Sequence, residues 1–141
     1  MAQLSHVKFV TDDLIEVPTN YVDQEAVLST NPQNVIIGGR YQHKLYNEIY
    51  SKEEWKNIDA IKNKRVYKVP IGISAWNRYG LELALMVPWT AKVVYGDAID
   101  FDIIEEVKYF YKRFVNYEMN NDEAYNIING LMPNGKAEVE E

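Results

Sequence analysis

The residues best suited to hold a ligand fall in one loop. Between Ile71 and Gly80 the chain carries Trp76, Arg78 and Tyr79, with a glycine at each end of the stretch, Gly72 and Gly80. An indole, a guanidinium and a phenol so close together offer flat apolar surface and a permanently charged fork of donors. This is binding chemistry rather than bond-making chemistry. The same residues have a structural reading: Trp76 packs the loop, and Arg78 pairs with a carboxylate such as Glu82. A second loop, Gly38-Gly39-Arg40-Tyr41, has a related makeup. Its glycines suit a tight strand-to-helix turn, since glycine accepts positive φ and close backbone approach. Arg40 and Tyr41 are open to either a binding or a surface role.

Nothing in the chain points to catalysis. There is no cysteine, which removes thiol nucleophiles, disulfides and cysteine-ligated metals. The two histidines, His6 and His43, are not spaced for a metal site, so surface or packing roles are expected for them. No Ser-His-Asp set, phosphate-binding glycine loop or paired catalytic carboxylate stands out. The expectation is a protein that is not an enzyme and carries no cofactor.

These loops need a scaffold, and the composition supplies one. At 141 residues, 47% apolar and 13% aromatic, the chain is long enough for one domain with a real core. A net charge of −6 with no basic stripe argues against nucleic-acid binding. No apolar run approaches the roughly 20 residues of a membrane span. The opening MAQLSHVKFV lacks the basic and apolar regions of a signal peptide.

Along the chain, His6–Val10 reads as a short first strand, and the stretch from Leu14 to Asn20 as an irregular connection. Tyr21 or Asp23 opens a helix through Ser29. Val35-Ile36-Ile37 is fully apolar, as in a buried parallel strand, and runs into the first loop. A helix is predicted over Gln42–Tyr50 with Leu45, Tyr46 and Ile49 inward. Ser51 with Glu54 has the spacing of a capping box for a short helix containing Trp55. A turn at Asn63-Lys64 leads into a strand, Val66–Val69, which stops at Pro70 because proline donates no ladder hydrogen bond. Leu81–Tyr95 is a helix apolar almost all round, with Pro88 inside it and Gly96 as its stop. Asp102 caps a helix whose Ile103, Val107, Phe110 and Phe114 recur at helical spacing. The pair Glu105-Glu106, like Asp12-Asp13, reads as solvated. Asn121 or Asp122 starts a last helix that ends before Gly130. Residues 1–132 are expected to form one lobe, and 133–141 a mobile charged tail. The order of elements predicts an α/β fold, a small mainly parallel sheet flanked by helices on both faces. In such sheets ligands lie beyond the carboxyl ends of the strands, where both loops fall.

The segment from Lys62 to Lys92 also carries a resemblance. A basic turn, Arg65-Val66-Tyr67-Lys68-Val69-Pro70, a glycine turn, Trp76-Asn77-Arg78, then Glu82 and an apolar helix reaching Ala91-Lys92 look like the C-terminal lobe of class III periplasmic binding proteins. Asn31-Pro32 before the apolar strand, Glu54-Trp55, and the closing helices agree in order and spacing. Tyr79-Gly80-Leu81 departs from the proline-rich sequence many relatives have there. The resemblance implies the substrate-binding component of an ABC importer, with an iron–siderophore, haem or cobalamin type ligand held in a cleft between two lobes. It implies as partners an N-terminal lobe of the same parent protein and a membrane permease, with Glu25 at the helix position that docks on the permease. It implies an extracytoplasmic, in many cases lipid-anchored, parent of which this chain is a fragment; a monomer is expected. On that reading Arg40, Tyr41, Trp76, Arg78 and Tyr79 face the ligand. Two other readings remain: an α/β nucleotide-binding enzyme domain, for which Gly38-Gly39-Arg40 is a poor phosphate loop, and a stand-alone protein-interaction module using exposed aromatics.

Overall fold

A computed structural model describes residues 7–10 and 23–139. The chain runs through helix α1 (Gln24–Ser29), strand β1 (Val35–Ile37), helix α2 (Gln42–Ser51), a 3-10 turn (Glu53–Trp55), helix α3 (Asp59–Lys62) and strand β2 (Val66–Lys68). Helices α4 (Leu83–Tyr95), α5 (Ile103–Phe110) and α6 (Asn121–Ile128) follow, with a π-helical turn at Tyr111–Val115 extending α5.

The strands pair in parallel, Val35 with Val66, Ile36 with Tyr67 and Ile37 with Lys68. The Val69 amide extends the ladder by donating to the Ile37 carbonyl at 2.8 Å. Side chains alternate across the pleat. Ile36 and Tyr67 pack on a large core built from α4, α5 and α6 around Trp76, Trp89, Val107 and Ile127. Val35, Ile37 and Val66 turn the other way, onto a smaller core with Trp55, Ile58 and Ile61, against which Val27, Leu28, Tyr46 and Ile49 also pack. Helices therefore cover both faces of a small parallel sheet, as the order of elements predicts.

Local chemistry explains most boundaries. The Asp23 side chain caps α1 and the Asp102 side chain accepts from the Ile104 amide at the start of α5. Asn120 and Glu123 form a reciprocal capping box on α6. Helix α4 runs unbroken through Pro88; the carbonyl that proline leaves without a donor belongs to Ala84, which is exposed to water. Gly96 ends that helix with φ +57°.

Four expectations are corrected. His6 lies outside the described residues, as do Asp12, Asp13, Tyr21 and the 14–20 connection; Val7–Phe9 have no regular structure and Val10 sits in a 3-10 turn, so no strand forms there. Ser51 does not begin a helix but ends α2, its hydroxyl donating back to the Glu48 carbonyl at 2.8 Å. Leu45 is 42% exposed, and Gln42 is the buried residue of α2. Phe114 is 60% exposed because the π-helical turn turns it away from the face shared by Ile103, Val107 and Phe110. No helix among the described residues is long and apolar enough to cross a membrane.

Candidate functional site

Both ligand-suited loops leave the carboxyl end of the sheet, one after β1 and one after β2. They touch. A Cβ on Gly38 would lie 2.9 Å from Asn77 Nδ2 and 3.2 Å from Val69 Cγ2, so only glycine lets the first loop lie against the second. Gly39 has φ +105° and turns the chain into α2.

The two arginines and two tyrosines of these loops are exposed. Arg40 and Arg78 face water, Tyr41 is 57% exposed and Tyr79 is fully so. Among the described residues neither arginine makes an ion pair. Helix α2 begins beside Arg40 with Tyr41 at its cap position and no side-chain cap on its amides. Ile73 and Leu81 add exposed apolar surface to the second loop.

Trp76 takes the structural of its two readings. It is wholly buried, part of the large core, and its indole N–H donates to Glu82 Oε1 at 3.2 Å. Its ring presents no face to a ligand. The structural reading of Arg78, a pair with Glu82, fails, because that carboxylate is buried and already engaged by four other donors. Its two oxygens accept the Ile73 amide at 3.0 Å and the Ser74 amide at 2.9 Å, besides the indole and the Tyr111 hydroxyl. Burial, reinforced by the Glu82 carboxylate, pushes the Tyr111 hydroxyl well above the usual phenol range. Gly72 makes room for this cluster: a Cβ there would fall 1.7 Å from the Tyr111 hydroxyl and 2.0 Å from Glu82 Oε1. The sequence offered one signal for Glu82, a lone acid at the head of an apolar helix, but no hint of its donors.

Beneath the first loop, Gln42 is buried and donates to the carbonyls of Val69 (3.0 Å) and Gly130 (3.1 Å). His43 Nε2 lies 2.8 Å from the Gly130 carbonyl, which gives that histidine a packing role. Glu25 is exposed in the first turn of α1. No group of three or more metal-ligating side chains is found among the described residues.

No family model matches the chain. It is 32% identical over 105 residues, 73% of its length, to the molybdate-binding protein MolA of Haemophilus influenzae. The solved structure of that protein bound to molybdate superposes with a TM-score of 0.58 at 31% identity, over 72% of this chain and 31% of that one. A periplasmic solute-binding protein from Veillonella parvula gives a TM-score of 0.61 at 30% identity, over 77% and 34% of the two chains. An ABC-transporter solute-binding protein from Sulfurospirillum deleyianum shares the fold at a TM-score of 0.74 and 22% identity, over 89% and 39%. The chain thus spans between 30% and 39% of the length of these relatives. Its architecture is that of one lobe of a periplasmic solute-binding protein, of the kind that serves ABC transporters.

Proposed function

We propose that this chain is the C-terminal lobe of an extracytoplasmic substrate-binding protein, and that its loops after β1 and β2 form one wall of a cleft closed by an N-terminal lobe. The observation that carries this reading is the contact of the two loops at Gly38 and Asn77, with Arg40, Tyr41, Arg78 and Tyr79 exposed within three residues of it along the chain. The cleft holds and releases its ligand without altering it. Delivery is to a membrane permease, on which Glu25 docks from the exposed turn of α1.

The ligand we favour is a small oxyanion of the molybdate type. The relative whose name states a ligand binds molybdate. Two guanidinium groups that meet no carboxylate among the described residues suit a compact dianion, because arginine donates paired, charge-assisted hydrogen bonds to oxyanions. The bulkier reading that the resemblance implied, an iron–siderophore, haem or cobalamin type chelate, counted Trp76 among its contact residues, and that ring is buried in the core. Tyr41 and Tyr79 are the rings left to it.

Calorimetric titration of molybdate, a ferric siderophore, haem and cobalamin into the full-length parent and into this chain tests the proposal. The parent should take up molybdate, and Arg40→Ala and Arg78→Ala should each weaken it about tenfold or more, as loss of a charged hydrogen bond does. This chain alone should bind weakly, since half the walls are absent. Tight binding of molybdate by the isolated chain would overturn the two-lobed cleft. A parent that takes a chelate and ignores molybdate would overturn the oxyanion reading alone.

A further inference from the structure

The loop that carries Arg78 and Tyr79 is closed before any ligand arrives. Ile71 and Ala75 form an antiparallel bridge, the Gly72 amide donates to the Ser74 carbonyl at 3.1 Å, and the Trp76 amide donates to the Pro70 carbonyl at 3.0 Å. This turns the Ile73 and Ser74 amides inward, and the group they meet is the Glu82 carboxylate. A turn with two converging amides is a ready anion cradle, and here the anion is the chain's own side chain. Glu82 lies at the N-terminus of α4, where the helix dipole favours negative charge. The Tyr111 hydroxyl reaches Glu82 Oε1, the oxygen that accepts the Ile73 amide, from the first residue of the π-helical turn, tying the cluster to α5.

The spacing along the chain gives this a consequence for binding. Trp76 and Glu82, joined side chain to side chain, are the two feet of a short arc whose exposed residues include Arg78 and Tyr79. The arc is tightened by the Arg78 amide on the Ala75 carbonyl (3.0 Å) and the Leu83 amide on the Gly80 carbonyl (3.1 Å). We propose that Glu82 is the positioning residue of the binding loop: it never meets the ligand, but it fixes the arc from which Arg78 and Tyr79 do. The inference rests on the reading that this loop faces the ligand. A loop ordered in advance spares the ligand the entropic cost of ordering it, so affinity depends on a buried acid in the core.

Glu82→Gln separates this from a general packing role. It keeps the shape but replaces one carboxylate oxygen by an NH2 group, which donates and cannot accept, against one of the two inward backbone amides. In hydrogen exchange on this chain, Ile73 or Ser74 should exchange about tenfold faster or more, while the β2 amides keep their protection. Should that variant fail to fold, Tyr111→Phe removes a single donor from the cluster and should speed exchange at Ile73 more mildly. In the parent, at temperatures where both proteins are folded, molybdate affinity should fall about tenfold in Glu82→Gln and less in Tyr111→Phe. Unchanged exchange at Ile73 and Ser74 overturns the positioning role. So does faster exchange with unaltered molybdate affinity. A wild-type parent that ignores molybdate overturns the oxyanion reading instead, a failure visible without any variant.

Discussion

Trp76 and Glu82 meet in the interior, indole N–H to carboxylate at 3.2 Å, with the first side chain wholly buried and the second 2% exposed. A buried carboxylate is tolerable only when it is well hydrogen-bonded, and here an indole, an amide and a phenol converge on one oxygen while a second amide meets the other. The pairing takes the tryptophan off the surface, frees Arg78 for water, and makes the loop a rigid extension of the core.

Gly72 is the most constrained position in that cluster. Gly72→Ala should lower stability by about 3 kcal/mol or more, because the new methyl must push Tyr111 or Glu82 off its partner. Urea unfolding of the wild type and variant measures this. In a Tyr111→Phe background the same substitution should cost less, since the atom nearest the methyl is gone. Equal cost in both backgrounds would show that the hydroxyl contact is not the source.

Gln42 should matter as a donor rather than as volume. Gln42→Leu keeps the bulk but leaves the Val69 and Gly130 carbonyls buried without that donor, a loss of about 1–3 kcal/mol. A denaturation midpoint equal to wild type would argue that water replaces the amide.

Phe110 and Phe114 are four residues apart, yet their truncations should differ sharply. Phe110→Ala empties a core position and should cost about 3–5 kcal/mol. Phe114→Ala removes an exposed ring that touches Phe110 at 5.1 Å between centroids, and should cost about 1 kcal/mol or less. Comparable losses would mean that the π-helical turn does not carry Phe114 off the core face.

Alkaline pH should destabilise the fold, with the sign set by two tyrosines. Burial raises both, to about 12 for Tyr50, whose neighbour Tyr46 adds to it, and further for Tyr111 with the help of Glu82. Above pH 10, their ordinary value, they ionise in the unfolded chain but stay protonated in the fold. The unfolded state then binds fewer protons, so stability falls as pH rises. The contribution of these groups is intact below pH 10, and that of Tyr50 is lost by about pH 12. Tyr111→Phe should flatten the decline in unfolding free energy measured between those values. An unaltered slope would refute the assignment to Tyr111.

Much of the frame could be read from residue order alone. Val35-Ile36-Ile37 and Val66–Lys68 are strands because short apolar β-branched and aromatic runs between turns satisfy both faces of a covered sheet. Asp23 and Asp102 mark helix starts through bonds to amides two residues on, a local geometry that sequence spacing encodes, whereas the last helix is capped by Asn120, one residue before the expected start. The two loops follow from where the strands end. What spacing cannot encode is a partner far along the chain. Tyr111 reaches Glu82 across 29 residues and Gln42 reaches Gly130 across 88. The expectation that Leu45 packs inward and that Phe114 continues its helical stripe assumed one regular period, which the docking of Gln42 and the π-helical turn each break. Sequence by itself settled which residues make strands, caps and turns, because those depend on neighbours within a few positions. Only the tertiary structure decided which of Trp76, Arg78 and Glu82 is core and which is surface, because that depends on which donors converge on one buried carboxylate.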